Sequence, residues 1–269
     1  MNPLQQKTPR EPILNLPAAV TISIVILVAI HAARLFLLAD ATDIQAILEL
    51  AVIPARWTVA LAPGTGAELI GALERAAGGG GVELAFARYI LDEQAPKPWT
   101  ALTYAFLHGS WSHVLLNGVW LAAFGSPIAR RCGPVRYLVL MTACAVGGSL
   151  MHVAVHPLSV LPMIGASAAV SGMMAAAAWF MFSSPSWSFA GAMAEPHERP
   201  RESLPALLRN KRVLLFVGVW FVANFLFAEM AAPLVITDAS IAWEAHIGGF
   251  VTGLVLFPLL DRPRRSPHS

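Results

Sequence analysis

The chain has 269 residues, of which 57% are hydrophobic and only 13% charged, with a mean hydropathy of +0.63. A soluble domain carries roughly 25% charged residues, so a water-soluble globule is excluded and an integral membrane protein is expected. The net charge of +2 gives no case for nucleic-acid binding, and two cysteines, Cys132 and Cys144, make neither a disulfide framework nor a cysteine-rich metal site.

A bilayer core about 30 Å thick is crossed by roughly 20 mostly apolar residues in helical form. Six stretches meet or approach that length: residues 16–38, 111–128, 135–155, 163–182, 213–232 and 241–260. The first is too long, and followed by too many others, to be a cleaved signal peptide. Basic residues then orient the spans. Lys7 and Arg10 precede span 1; Arg130, Arg131 and Arg136 lie between spans 2 and 3; Arg199, Arg201, Arg209, Lys211 and Arg212 lie between spans 4 and 5; Arg262, Arg264 and Arg265 follow span 6. With six spans all four groups fall on one side, and because cytoplasmic segments retain Lys and Arg, both termini are expected in the cytoplasm. Residues 1–15 and 261–269 become cytoplasmic tails, 16–260 the membrane domain, and 183–212 a cytoplasmic loop.

Residues 39–98 form an outer loop too long to be a mere connector. Ile44, Ile47, Leu48, Ala51 and Val52 recur at helical spacing with acids between them, which predicts one short amphipathic helix at the membrane surface, packed on the bundle without catalytic duty. The glycines of 78–81 mark a break, and Arg34, near the outer end of span 1, is expected to snorkel to the interface.

Polar groups inside spans are costly and face the bundle interior, so each is a candidate for function. His113 and Asn117 in span 2, Ser167 in span 4 and His246 in span 6 all lie in the first turns of spans that run from outside to inside, and therefore share one depth. His113 and Asn117 stand one turn apart on one helix face. Ala245, Gly249 and Gly253 form a small-residue stripe on span 6, and Ser167, Ser171 and Ala175 form another on span 4; packing the two stripes would set Ser167 beside His246. A serine hydroxyl needs a base to take its proton, and histidine can take it and return it to a leaving amine. An acyl-transfer intermediate also needs donors for its oxyanion, which His113, Asn117 and the Ser167 backbone N–H can supply. Gly165 permits a tight backbone at the entrance to the helix of Ser167.

These residues resemble those of the rhomboid intramembrane serine proteases. The likeness runs from about Pro96 to the end of span 6. AFLHGSWSHVLLN at 105–117 resembles the family's HxxxN segment, GAS at 165–167 its GxSG nucleophile motif, and AHIGGFVTG at 245–253 its AHxxGxxxG helix; Trp99 and Thr103 match its WRxxT stretch. The resemblance implies an all-α, six-transmembrane-helix rhomboid-type bundle, with Ser167 as nucleophile, His246 as general base, and His113, Asn117 and the Ser167 amide in the oxyanion role. Gly165, His108 and Gly249 would support the site. Three positions depart from the pattern: Ala168 replaces the glycine after the nucleophile, Thr100 replaces the arginine of WR, and Ser171 stands where some members carry an aromatic that stacks on the catalytic histidine.

The expected activity is therefore hydrolysis of peptide bonds in or near transmembrane segments of membrane proteins, in a multi-pass protein of the bacterial cell membrane whose site opens outward. Its partners would be transmembrane protein substrates and the lipid bilayer. No metal or organic cofactor is implied. A rhomboid-like protein that binds transmembrane helices with little or no cleavage is the alternative, and a transporter or metal-dependent membrane enzyme built on the histidines is the more distant one. His152 and His156, one turn apart, have the spacing of metal ligands, but no carboxylate or cysteine accompanies them in their span. Glu244 lies on a different helix face from His246 and is not taken as a third catalytic member.

Overall fold

A computed structural model describes residues 15–62, 64–76, 81–92, 97–182, 196–231 and 242–261. In chain order the helices are α1 (Ala18–Leu37), α2 (Asp40–Leu50), α3 (Pro54–Leu61), α4 (Gly64–Ala76), α5 (Val82–Asp92), α6 (Thr100–Thr103), α7 (Trp111–Cys132), α8 (Pro134–Val155), α9 (Ser167–Met181), α10 (Leu204–Arg209), α11 (Lys211–Ala231) and α12 (Trp243–Leu260), with a 3₁₀ turn at Tyr104–Phe106. No strand occurs among the described residues, so the protein is all-α there. Three helices, α1, α8 and α12, are long and apolar enough to cross a membrane, and α9 is a shorter apolar helix. Span 5 and span 6 as read from the sequence include Ala232 and Ile241, which lie outside the described residues, as do the two tails' basic residues.

The centre of the bundle is α9, in which every residue between Ser167 and Met181 is buried. A helix that is apolar or small all round can be stable only as an inner element. It is enclosed by α7, α8 and α12, and α12 packs closely on α8 as well. Glycine makes that closeness possible: a Cβ on Gly249 would run into the backbone of Ala168, and one on Gly253 into the backbone of Gly172. The closest backbone approach of α9 to α12 is thus at Ala168 and Gly172, one residue on from the expected stripe of Ser167, Ser171 and Ala175, while Ser167 still reaches His246 with its side chain. The sequence reading misplaced the rotation of α9 by one residue, because a helix with no polar face gives its rotation no signature.

Three further expectations change. Span 4 starts as helix only at Ser167; before it, Met163 pairs with Val52 through N–H···O bonds of 2.8 and 3.2 Å, which holds the segment extended. Among the described residues of 39–98 there are four helices, α2 to α5, in place of the one surface helix expected. Leu48, Ile53, Val59, Ala87 and Ile90 form a separate apolar core among them, so short helices that could not stand alone are stabilised by burial against one another. Arg34 does not snorkel. It is 8% exposed, makes a bidentate pair with Asp43 at 2.7 and 3.0 Å, and donates to His108 O at 3.0 Å, which ties α1 to the approach of α7.

The basic ends of the helices converge. Arg131 at the end of α7 pairs with Asp261 beyond α12 at 2.8 and 2.9 Å and donates to Pro196 O and Arg199 O, and Arg130 reaches Asn15 O before α1. His113, Ser167 and His246 sit at the opposite ends of α7, α9 and α12.

Candidate active site

Ser110 starts α7: its Oγ accepts the His113 N–H at 3.2 Å, satisfying one of the free amides of the first turn. Gly165, two residues before α9, has φ +122°, a conformation that L side chains rarely adopt. Its N–H donates to Tyr104 O at 3.0 Å, while Tyr104 Oη donates to Ala145 O at 2.8 Å, so the loop is strapped to α8. Burial pushes the Tyr104 hydroxyl up from its ordinary pKa, keeping it a donor. A Cβ at Gly165 would stand 2.8 Å from Cε1 and Nε2 of His113. The glycine is a floor on which the His113 ring lies.

From that loop α9 begins at Ser167 with no side-chain cap, so the amides of its first turn have no partner within the helix. Ser167 is half-buried, and its Oγ lies 2.7 Å from His246 Nε2, in hydrogen-bond distance across helices α9 and α12. His246 is 5% exposed, and Trp220 of α11 packs beside its ring, with centroids 5.9 Å apart. Ser171 leaves no aromatic one turn after Ser167, and the aromatic beside His246 comes from α11. Ser171 Oγ instead donates to Ser167 O at 2.7 Å.

The other candidates sit as follows. His108 is fully buried, edge-on to His113 with centroids 4.9 Å apart, and its Nε2 accepts the Ala166 N–H at 3.4 Å. Burial, assisted by the neighbouring His113, pushes its pKa down to about 3, so the ring is neutral and free to accept. Asn117 is buried, but its amide donates to His113 O at 3.1 Å, along its own helix. That bond engages one of the two amide hydrogens and leaves the second to donate elsewhere. Gly249 acts in packing, bringing the Ala168 backbone against α12. Ala168 is 1% exposed, and no non-glycine residue among the described residues has positive φ, so its backbone is unstrained; its methyl fits because residue 148 opposite is glycine. Thr100, at the place of the family's arginine, accepts from Trp57 Nε1 at 3.1 Å and donates to Lys97 O at 2.6 Å, while Trp99 and Thr103 bond Glu49 O and Leu50 O. The stretch thus fastens the start of α6 to α2 and α3 without a cation at that position.

Sequence reasoning missed Tyr104 and Trp220, since neither lies at a distinctive spacing. It also left His152 and His156 without a carboxylate partner. Glu244, from α12, supplies one: its Oε1 is 2.6 Å from His156 Nε2.

Comparison with known proteins places the chain in a family. A sequence profile described as the rhomboid domain matches residues 95–262, well over half of the chain, and the protein belongs to the rhomboid family. It is an all-α integral membrane protein of that family. The chain is 41% identical over 66 residues to rhomboid-like protein 16, chloroplastic, of Arabidopsis thaliana, covering 24% of this chain and 20% of the relative. A second relative, rhomboid-like protein 17, chloroplastic, of the same plant, is 41% identical over 59 residues, 22% of this chain and 18% of the relative. The matched stretch spans about a fifth of the length of either relative. Both are chloroplastic by name, so the bacterial cell membrane expected above gains no support from them.

Proposed function

We propose that this protein is an intramembrane serine endopeptidase that cleaves peptide bonds in or near transmembrane segments of other membrane proteins. The observation that carries the reading is the 2.7 Å contact between Ser167 Oγ and His246 Nε2, at the ends of two helices whose starts share one depth. In this mechanism Ser167 Oγ attacks the scissile carbonyl as His246 takes its proton; the tetrahedral oxyanion is met by His113, by the second amide hydrogen of Asn117, and by the first amides of α9. His246 returns the proton to the leaving amine, leaving Ser167 as an ester, and water activated by the same histidine hydrolyses that ester. No metal or organic cofactor takes part in these steps.

The accompanying topology has six spans, residues 1–15, 183–212 and 261–269 in the cytoplasm, and 39–98 outside, with the site opening to the side of the outer loop. The convergence of Asn15, Arg130, Arg131 and Asp261 at the end opposite Ser167 supports that arrangement. Cleavage needs an extended substrate backbone, so substrates with helix-breaking residues near the outer membrane face suit this site best.

A rhomboid-like helix binder with little activity is the second reading, favoured by the Asn117 amide being turned along its own helix. One experiment separates them: purified protein in proteoliposomes is treated with a fluorophosphonate probe and, in parallel, with a transmembrane reporter. The protease reading expects labelling and cleavage, both abolished by Ser167→Ala and by His246→Ala, with the double variant no worse than either single one. Binding of the reporter without labelling or cleavage would establish the second reading instead.

A further inference from the structure

The last turn of α8 and the first turn of α12 meet at the end of the bundle where Ser167 lies, and they bring together His152, His156 and Glu244. One ligand atom from each residue lies within 4.8 Å of the others. A hydrogen-bonded pair of His156 Nε2 and Glu244 Oε1, at 2.6 Å, accounts for two of the three. His152 is left over. It is 8% exposed, its Nδ1 has no hydrogen-bond partner, and that atom faces Glu244 Oε2 across 3.7 Å. Buried polar atoms are ordinarily satisfied, and an imidazole nitrogen and a carboxylate oxygen at this separation are too far apart for a direct hydrogen bond and close enough to share one cation.

We propose that His152, His156 and Glu244 bind one divalent transition-metal ion of the zinc type. The two histidines stand one helical turn apart on α8, and the carboxylate comes from the neighbouring helix. With metal–ligand bonds of about 2.0–2.2 Å, tetrahedral ligand atoms lie about 3.3 Å from one another, so the widest gap must close by about 1.5 Å. The His156 side chain, 45% exposed and on the residue that ends α8, is free to make that adjustment. Its exposure also leaves the fourth coordination position open to water from outside the bundle. Two imidazoles and one carboxylate select zinc and similar ions over magnesium or calcium, which take shells of oxygen. A bound ion would cross-link α8 to α12 two residues before His246, and it would share no ligand with the Ser167–His246 pair. This site does not depend on proteolysis, and its test is a binding measurement.

Full-length protein purified in detergent without a polyhistidine tag and stripped with chelator is titrated with zinc chloride by calorimetry and with cobalt chloride by visible absorption. The expected result is one equivalent bound, with the intense visible bands of four-coordinate cobalt. His156→Ala and His152→Ala should each weaken binding by at least about tenfold, since loss of even an outer-shell partner costs 10- to 100-fold. His246→Ala and His113→Ala should bind as the unaltered protein does. Glu244 is buried, so a loss of binding in Glu244→Gln would not separate ligation from folding, and the exposed His156 carries the decision. Absence of stoichiometric zinc binding by the unaltered protein would overturn the proposal. So would binding undiminished in both His152→Ala and His156→Ala, or binding lost in His246→Ala instead.

Discussion

Gly165→Ala tests whether the oxyanion side of the site is built as described. The substitution has two local costs. An L residue at φ +122° is strained, by about 1–2 kcal/mol. The new Cβ would also stand 2.8 Å from the His113 ring, against roughly 3.5–4.0 Å for an unforced carbon contact, so the ring must retreat by about 1 Å. His113 cannot retreat freely, because the His108 ring lies edge-on to it and Ser110 fixes the start of its helix. A donor displaced by that amount no longer meets the oxyanion, and losing one such donor costs about 10²- to 10³-fold in kcat. The new Cβ would meet Ser167 Oγ only in ordinary contact, at 3.9 Å. Gly165→Ala should therefore keep its fold in the membrane while kcat on a transmembrane reporter falls by about 10²-fold with a smaller change in KM. Gly109→Ala is the control in the neighbouring loop: its Cβ would meet only Ile164 Cδ1, at 3.9 Å, and kcat should stay within about twofold. Steady-state cleavage in proteoliposomes measures both. A Gly165→Ala enzyme with kcat within twofold of the unaltered protein would refute the assignment of His113 to the oxyanion and of Gly165 to its support.

Ala168→Gly should leave cleavage flat or lower it, since residue 168 is helical and unstrained and glycine adds only about 1 kcal/mol of backbone freedom; a several-fold gain in turnover would show that the alanine impairs the site. Trp220→Ala should lower kcat by about 3- to 10-fold with KM nearly unchanged, because the ring positions His246, and Trp220→Phe should recover part of the loss; equal kcat in all three would remove Trp220 from that role. Arg34→Met, which leaves Asp43 and His108 O without their partner, should cost about 3 kcal/mol in denaturant unfolding, whereas Arg88→Met, removing an exposed pair with Glu74, should change stability by no more than about 1 kcal/mol; equal effects would contradict the burial of the Arg34 pair. Cysteines placed singly at Gly79 and Arg201, in a chain lacking Cys132 and Cys144, should label from opposite sides with an impermeant thiol reagent, and equal labelling would defeat the six-span topology.

What the sequence determined by itself is whatever depends on composition along one helix. Hydropathy over about 20 residues marks α1, α8 and α12 as membrane helices, because no other fold of such a segment satisfies its backbone in lipid. The place of His113, Ser167 and His246 near the starts of their helices was legible for the same reason: depth follows from distance along a span. The tertiary structure alone decided how those helices turn and whom they meet. With small or apolar residues all round, α9 has no preferred face in its sequence, and it is the glycines of α12 that dictate contact through Ala168 and Gly172. Arg34 became a buried ion pair because Asp43, nine residues on, folds back over it, and α2 to α5 became helices with their own core because each is too short to persist alone. Glu244 joins His152 and His156 across nearly 90 residues of chain, a meeting that no spacing within one span can encode; only the close crossing of α8 and α12, allowed by Gly147, Gly148 and Gly248, brings the carboxylate to the imidazoles.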